Sequence, residues 1–137
     1  MNIKSYLNQA RDLDKLIDSK LDQIDRLRSL AEKTTTTLTG MPHASGTSNR
    51  IEYCVGKIME LEHEVTADID KLIDTKSEIR KMIDAVQDTR YRLLLEYRYL
   101  NNFTWERIAE EMIYDVRWVY ELHGHALKAL SKHVNAG

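Results

Sequence analysis

The chain has 137 residues, of which 31% are charged and 7% aromatic, and its formal net charge is −2. This balance excludes a protein that binds polyanions by charge alone, because counterion release needs many basic groups on one surface. The lone cysteine, Cys54, excludes an internal disulfide and a cysteine-based metal cluster. No stretch reaches the roughly 18 uncharged apolar residues of a membrane span, and the N-terminal residues lack the apolar core of a signal peptide. We therefore expect a soluble cytoplasmic protein with no membrane partner.

An amphipathic helix is predicted over residues 2 to 33, because apolar residues recur there at three- and four-residue steps with charged residues in the gaps. One proline and five glycines leave few breaks for a sheet, and no strand-like alternation extends over a useful length. The fold class is therefore predicted to be all-α. The apolar positions of this helix are Ile3, Leu7, Ala10, Leu13, Ile17, Leu21, Ile24, Leu27 and Ala31.

Residues 34 to 50, TTTTLTGMPHASGTSNR, predict a loop, because β-branched threonines, two glycines and the only proline disfavour a helix. A second helix is predicted from Ser48 or Asn49 to about Val86, with an apolar seam that repeats every 3.5 residues as in a coiled coil. The seam positions are Ile51, Val55, Ile58, Glu62, Val65, Ile69, Leu72, Lys76, Ile79, Ile83 and Val86. A second stripe lies beside them at Cys54, Leu61, Asp68, Thr75 and Met82.

These two helices are expected to form a long antiparallel, coiled-coil-like hairpin, which would be the first domain, residues 1–87. Glu62 and Lys76 fall inside the predicted seam and would fix its register. The apolar face of the second helix is wider than one partner needs. That width predicts a second copy of the chain, as a homodimer or a higher oligomer paired through the long helices.

Three shorter helices are predicted in a second domain, residues 88–137. Asp88 is expected to cap the first of them, and Asn101 and Asn102 to end it, because Asn tolerates the left-handed conformation. Thr104 should cap the next helix and Asp115 the last, which begins at Val116. The expected buried residues of the three helices are Leu93, Leu94, Tyr97 and Leu100; Trp105, Ile108, Ala109 and Met112; and Val119, Leu122, Ala126, Leu127 and Leu130.

The last two helices have the spacing of a helix-turn-helix, since a three-residue corner joins them and a preceding helix braces them. Ala109 is the small residue that such a crossing needs. Ile113 stands where the turn usually carries Gly, and a positive φ would cost this β-branched residue on the order of 1 kcal/mol or more. We therefore expect a remodelled turn.

In a helix-turn-helix, the N-terminal half of the last helix meets the major groove. Arg117 can pair bidentately with guanine and Glu121 can accept from cytosine N4, while Asp115, Val116 and Tyr120 share the same exposed half. Phosphate contacts are predicted for Arg98, Arg107, Lys128, His123 and His125. Two alternatives stay open: Arg107 pairs with Glu110 or Glu111, and His123 is an ordinary surface residue.

Residues 88 to 137 carry seven basic and seven acidic side chains, so a second subunit or a partner on the DNA would have to add contacts. No enzyme activity is expected, because there is no glycine-rich phosphate loop and no nucleophile with a base near it in sequence. His123 and His125 are two residues apart and point to different helix faces, so no metal site is expected either. No cofactor is predicted.

The segment YRLLLEYRYLNNFTWERIAEEMIYDVRWVYELHGHALKAL resembles region 4 of sigma-70-type RNA polymerase subunits. It is also similar to small sigma-like regulators of phages and prophages, near the ArpU and RinA types, and the whole layout resembles a domain family of unknown function. The resemblance implies a supporting helix at TWERIA and a recognition helix at VRWVYELHGHALKAL, with Arg117, Trp118 and His123 in the recognisable part of the motif. Ile113 and His125 depart from that pattern, which has Gly and tends to have Arg there.

The expected function is therefore sequence-specific binding of double-stranded DNA that regulates phage or prophage transcription, with RNA polymerase as a further possible partner. One rival is a DNA-packaging subunit like the small terminase subunits of phages, which join a helix-turn-helix to oligomerising helices. Another is a protein-interaction module that docks on RNA polymerase, which the neutral charge of residues 88 to 137 favours.

Overall fold

The computed structural model describes residues 2–37 and 45–136, and every regular element within them is helical, which confirms the all-α prediction. Two long helices come first, α1 (Ile3–Thr37) and α2 (Ser45–Asp84). Three shorter ones follow: α3 (Thr89–Leu95), which continues directly as a π-helical segment (Glu96–Leu100), α4 (Trp105–Met112) and α5 (Val116–Ala136).

The two long helices extend further than their sequence predicts. α1 continues through Thr37 and α2 begins at Ser45, so the predicted loop of residues 34 to 50 is wrong at both ends. Its middle, residues 38–44, lies outside the described residues. The Thr34 hydroxyl shows how a threonine fits this helix: it donates to the Leu30 carbonyl at 2.8 Å, one turn earlier.

The chain divides into two compact units, Met1–Leu13 with Leu72–Gly137, and Asp14–Lys71. These units differ from the predicted domain limits of residues 1–87 and 88–137. The reason is that the ends of both long helices pack in one core with the later helices.

Unit Asp14–Lys71 contains parts of α1 and α2 joined by ion pairs. Lys20 Nζ lies 2.6 Å from Asp68 Oδ2, and Arg28 Nη2 lies 2.9 Å from Glu62 Oε1. Apolar burial in this unit is modest, and the buried side chains are Ile17, Ile24, Cys54 and Val65.

The covered face of α2 in this unit is not the predicted seam. Val55, Glu62 and Ile69 are exposed, and the second stripe supplies the alternate positions. The predicted seam and the covered face share Ile51, Ile58 and Val65, and they differ in whether Val55, Glu62 and Ile69 or the second stripe fill the positions between them. The buried or half-buried residues are Ile51, Cys54, Ile58, Leu61, Val65 and Asp68.

The other unit has a main core, to which the first turns of α1, the C-terminal part of α2, the third helical stretch and α5 contribute. Its buried residues are Leu7, Ala10, Ile79, Ile83, Val86, Leu95, Tyr99, Leu100, Ala126 and Leu130. Polar contacts supplement this core: Arg11 Nη1 donates to the Arg98 carbonyl at 3.1 Å, and Lys76 Nζ donates to the Leu100 carbonyl at 3.1 Å.

The π-helical segment changes which residues of the third helical stretch are buried. The backbone N–H of Asn101 donates to the Glu96 carbonyl at 3.0 Å, five residues back, so the turn is wider than an α-helical turn. Leu95 and Tyr99 are buried, whereas the predicted Leu93 and Tyr97 are only half-buried. The predicted ends are confirmed: the Asp88 carboxylate accepts from the Arg90 N–H at 2.9 Å, and Asn102 has a left-handed φ of 59°.

Candidate nucleic-acid interface

A three-residue turn, residues 113–115, joins α4 to α5, and side chains close both sides of it. Thr104 caps α4 by accepting from the Arg107 N–H at 3.1 Å. At the start of α5, Asp115 Oδ1 accepts from the Arg117 N–H at 3.4 Å. Both caps were predicted, and they provide acceptors for free amides where a helix begins.

The turn itself keeps the strained conformation, so the predicted remodelling is wrong. Ile113 has φ 58° and ψ 48°, in the left-handed region, and its side chain is 88% exposed. The next residue, Tyr114, donates its N–H to the Ala109 carbonyl at 2.9 Å. This bond satisfies a carbonyl in the last turn of α4 and offsets part of the cost of the positive φ.

A second core joins α4 to α5, and Ala109 is buried in it, as predicted. Ala109 is 4% exposed and belongs to the same core as Ile108, Val119 and Leu122. Leu94 of α3 completes this core, so α3 braces the pair. The apolar residues around Ala109 leave little room for a larger side chain.

The solvent face of α5 holds most of the predicted DNA contacts. Arg117, Glu121 and Lys128 are exposed, and at 100° per residue they lie within about 40° of one another around the helix. Trp118 and Tyr120 are 39% and 49% exposed. Val116 is only half-buried, where α5 begins.

Charge is distributed unevenly between the two helices. Helix α5 carries three cations, Arg117, Lys128 and Lys132, and one carboxylate, that of Glu121. In contrast, α4 carries three glutamates and one arginine. The neutral total of the region therefore conceals a basic α5 and an acidic α4.

The cations of α5 also differ from other cations of the same unit in their partners. In the described part of the chain, no side-chain ion pair involves Arg117, Lys128 or Lys132. By comparison, Arg90 lies 3.4 Å from Asp88 and Arg92 lies 3.6 Å from Asp84. The positive charge of α5 is thus available to a ligand.

Arg98 is half-buried and its guanidinium contacts groups within the chain, while its phosphate contact stays a prediction. Its guanidinium lies 4.1 Å from the centre of the Trp105 ring, and its Nη1 donates to the Phe103 carbonyl at 3.0 Å. Burial lowers the pKa of Arg98, and the nearby charge of Arg11 adds to this effect. The side chain therefore supports the connection between the π-helical segment and α4.

Arg107 is exposed, but it does not form the ion pair with Glu110 or Glu111 that was the alternative prediction. Its guanidinium lies 3.7 Å from the centre of the Phe103 ring, and no ion pair with Glu110 or Glu111 forms within the described residues. A cation over an aromatic face keeps its charge, so Arg107 can still meet a phosphate.

His123 is buried, so its alternative as a surface residue is wrong, while its phosphate contact stays a prediction that burial disfavours. It is 6% exposed, and its Nε2 lies 2.6 Å from the Tyr99 hydroxyl oxygen. Burial lowers the pKa of His123 to about 4, with smaller contributions from the charges of Lys4 and Arg98, so the ring is neutral at pH 7. The spacing four after Val119 and three before Ala126 was the signal for this burial. His125 is exposed.

Trp105 is the residue whose importance the sequence did not indicate. Its ring centre lies 5.3 Å from that of Tyr120 and 4.7 Å from that of His123, and the Arg98 guanidinium covers it. Trp105 therefore links α4 to α5 and fixes the ring of Tyr120 beside the exposed face.

Two structural observations bear on other kinds of site. Over residues 2–37 and 45–136, no three His, Cys, Asp or Glu side chains are grouped so that they could hold a metal ion. Within the same ranges, no helix combines the length and the apolar character that a membrane span requires.

A protein-family model described as "Protein of unknown function (DUF1492)" matches residues 44–131. The match covers more than half of the chain and runs from the start of α2 into α5. No curated protein and no solved structure gives a significant match.

Proposed function

Because the chain belongs to the DUF1492 family of proteins of unknown function, its function has to be argued from its residues, and we propose that it binds double-stranded DNA sequence-specifically. In this proposal, α4 and α5 form a helix-turn-helix like that of sigma-70 region 4, and binding regulates transcription in a phage or prophage. The resemblance of the sequence to ArpU- and RinA-type regulators motivates the biological setting.

The observation that carries the proposal is the exposed face of α5. Three cations without ion pairs in the described structure share one helix with exposed Trp118 and Tyr120. A protein binds DNA through basic side chains that contact phosphates and through side chains that hydrogen-bond to base edges or make apolar contact with them.

The individual roles follow from position along α5. Arg117, in the first turn, is the proposed base reader, since its planar guanidinium matches the two acceptors of guanine in the major groove. Glu121, one turn on, can accept from cytosine N4. Lys128 and Arg107 are the proposed phosphate contacts, and Val116, Trp118 and Tyr120 supply apolar contact.

The long helices are proposed to form an antiparallel hairpin that brings two copies together. Ion pairs support the antiparallel direction, because Lys20 meets Asp68 while the later Arg28 meets the earlier Glu62. Val55, Met59 and Ile69 remain exposed on α2 and are available to a second copy. A two-fold dimer would present two basic α5 faces, which compensates for the neutral total charge.

Selection from a random library of DNA duplexes with the purified protein tests the proposal. We expect enrichment of one sequence pattern, and Arg117→Ala should weaken binding to it by about 1–3 kcal/mol and relax preference at one base pair. Fluorescence anisotropy on matched and mismatched duplexes measures both effects.

Arg26→Ala is the matched control, because Arg26 is an exposed arginine on α1, far along the sequence from α5. It should leave preference unchanged. If the wild-type protein enriches no sequence pattern, the proposed function is wrong. If a pattern emerges but Arg117→Ala binds it like the wild type, Arg117 is not the reader.

One observation favours a second candidate, docking on RNA polymerase or another protein. Glu106, Glu110 and Glu111 are exposed on α4, and Ile113 projects into solvent next to them. An acidic face with an apolar tip suits a basic protein surface rather than DNA. Charge reversal at Glu110 and Glu111 that abolishes promoter activation without loss of DNA binding would support this role.

A further inference from the structure

A groove of about 590 Å³ lies beside the C-terminal half of α5, on the side of the α2–α3 junction. Its polar wall on α5 consists of His125, Lys128, Lys132 and His133, all of them exposed. The apolar residues Val86, Tyr91 and Ala129 complete the lining together with Gln87 and Asp88.

Among the described residues that line this groove, the one carboxylate is that of Asp88, and it is paired with Arg90. Asp88 accepts from the Arg90 N–H at 2.9 Å, and its second oxygen lies 3.4 Å from the Arg90 guanidinium. The side-chain hydrogen bond to Arg90 lowers the pKa of Asp88, with a further contribution from the Arg90 charge. The two lysines opposite are in no ion pair within the described residues, so the groove is net positive.

The lysine edge of the groove continues the face of α5 that carries Arg117, and the groove turns away from that face towards His125 and His133. At 100° and about 1.5 Å per residue, Lys128 and Lys132 lie about 16 and 22 Å beyond Arg117 and within about 60° of it around the helix. A major groove is about 12 Å wide, so a helix that places Arg117 at base edges carries these lysines past the groove edge to the backbone.

We propose that this groove is a phosphate-binding site that receives the DNA backbone beside the sequence read by Arg117. The inference rests on the proposed function. It assigns Lys132, His125 and His133 to the contact together with Lys128, and it makes the contact independent of base sequence. A phosphate here could also belong to a small phosphorylated molecule, which shares the chemistry and is separated by the experiment.

The experiment measures DNA affinity against salt concentration for the full chain and for Lys128→Ala, Lys132→Ala and the double variant. Each neutralised phosphate contact contributes roughly 0.9 to the slope of log affinity against log salt. We expect each single variant to reduce the slope by about that amount, and the double variant by about twice as much. The preferred sequence should not change.

Lys81→Ala is the control, because Lys81 is an exposed lysine of the same compact unit that does not line the groove. Thermal unfolding shows whether each variant is folded, and these exposed lysines should be replaceable. If the double variant keeps the wild-type slope of log affinity against log salt, the proposal is overturned. This holds even if the preference for DNA sequence that depends on Arg117 is unchanged.

A second arm separates this inference from the proposed function. Pyrophosphate is added to the protein while the imidazole NMR signals of His125 and His133 are recorded. If the chain binds no DNA but pyrophosphate shifts both signals, and the double variant loses the shift, then the groove binds phosphate of a small molecule and only the DNA function is wrong. If neither DNA nor pyrophosphate binds, both proposals are overturned.

Discussion

At the scale of single residues, the ends of the shorter helices were predictable from their caps, and buried polar contacts were not. Thr104, Asp115 and Asn102 act where the sequence placed them, because caps depend on neighbours within about four residues. The contact of His123 with Tyr99 joins residues 24 positions apart, so no local pattern reveals it. The apolar spacing around His123 fits its burial, although the residue was predicted to contact phosphate or lie at the surface, and that spacing does not identify the partner.

Ile113 provides a prediction at this scale. Replacing Ile113 by Gly removes the Cβ that makes a left-handed φ costly, and the exposed side chain contributes little burial. We expect Ile113→Gly to stabilise the fold by about 1 kcal/mol, less the entropy that glycine gains in the unfolded chain. Urea unfolding measures the change.

The matched variant is Ile113→Ala, which shortens the side chain but keeps the Cβ and the positive φ. It should show no such gain. Equal stabilisation by both variants would mean that side-chain exposure, rather than backbone strain, sets the cost at this turn.

At the scale of helices, the number and the order of the helices were predictable, and the face of α2 that is covered was not. Apolar periodicity located five helical stretches, but two overlapping stripes on α2 left the covered face undetermined. The covered face uses Cys54 and Leu61, and the Lys20–Asp68 ion pair lies on the same side. The π-helical segment likewise depends on a wider turn at Glu96–Leu100, which has no signal in apolar spacing.

The junction of α4 and α5 provides a prediction at the scale of elements. Ala109→Leu adds three carbons to a position that is 4% exposed in the second core. We expect overpacking to destabilise the fold by roughly 1–3 kcal/mol, measured by thermal unfolding.

Ala67→Leu, at an exposed position of α2, controls for the substitution itself and should change stability by less than about 0.5 kcal/mol. If Ala109→Leu melts like the wild type, the helices do not approach closely at Ala109, and the proposed helix-turn-helix loses its geometric basis.

At the scale of the whole molecule, acid stability should depend on one buried imidazole. An unfolded histidine has a pKa of about 6.5, whereas burial lowers that of His123 to about 4. Between these values the unfolded chain binds the extra proton, so stability falls as pH decreases. The contribution is fully present above about pH 6.5, and up to about 3 kcal/mol is lost by pH 4.

Urea unfolding between pH 8 and pH 4 tests this dependence against His123→Gln, which cannot take up a proton but can still meet the Tyr99 hydroxyl. We expect the variant to lose less stability over this range than the wild type. His125→Gln is the control at an exposed site and should follow the wild-type curve. Parallel curves for all three proteins would contradict a buried neutral His123.

The core that joins Leu7 and Ala10 to Ala126 and Leu130 has a consequence for how the chain acquires its structure. These contacts link residues more than a hundred positions apart, so they have a high contact order and form late. During translation, the N-terminal turns of α1 have no apolar partner from α5 until α5 itself has left the ribosome. A fragment that starts at α3 would expose Leu95, Tyr99 and Leu130 to water and should aggregate or be degraded.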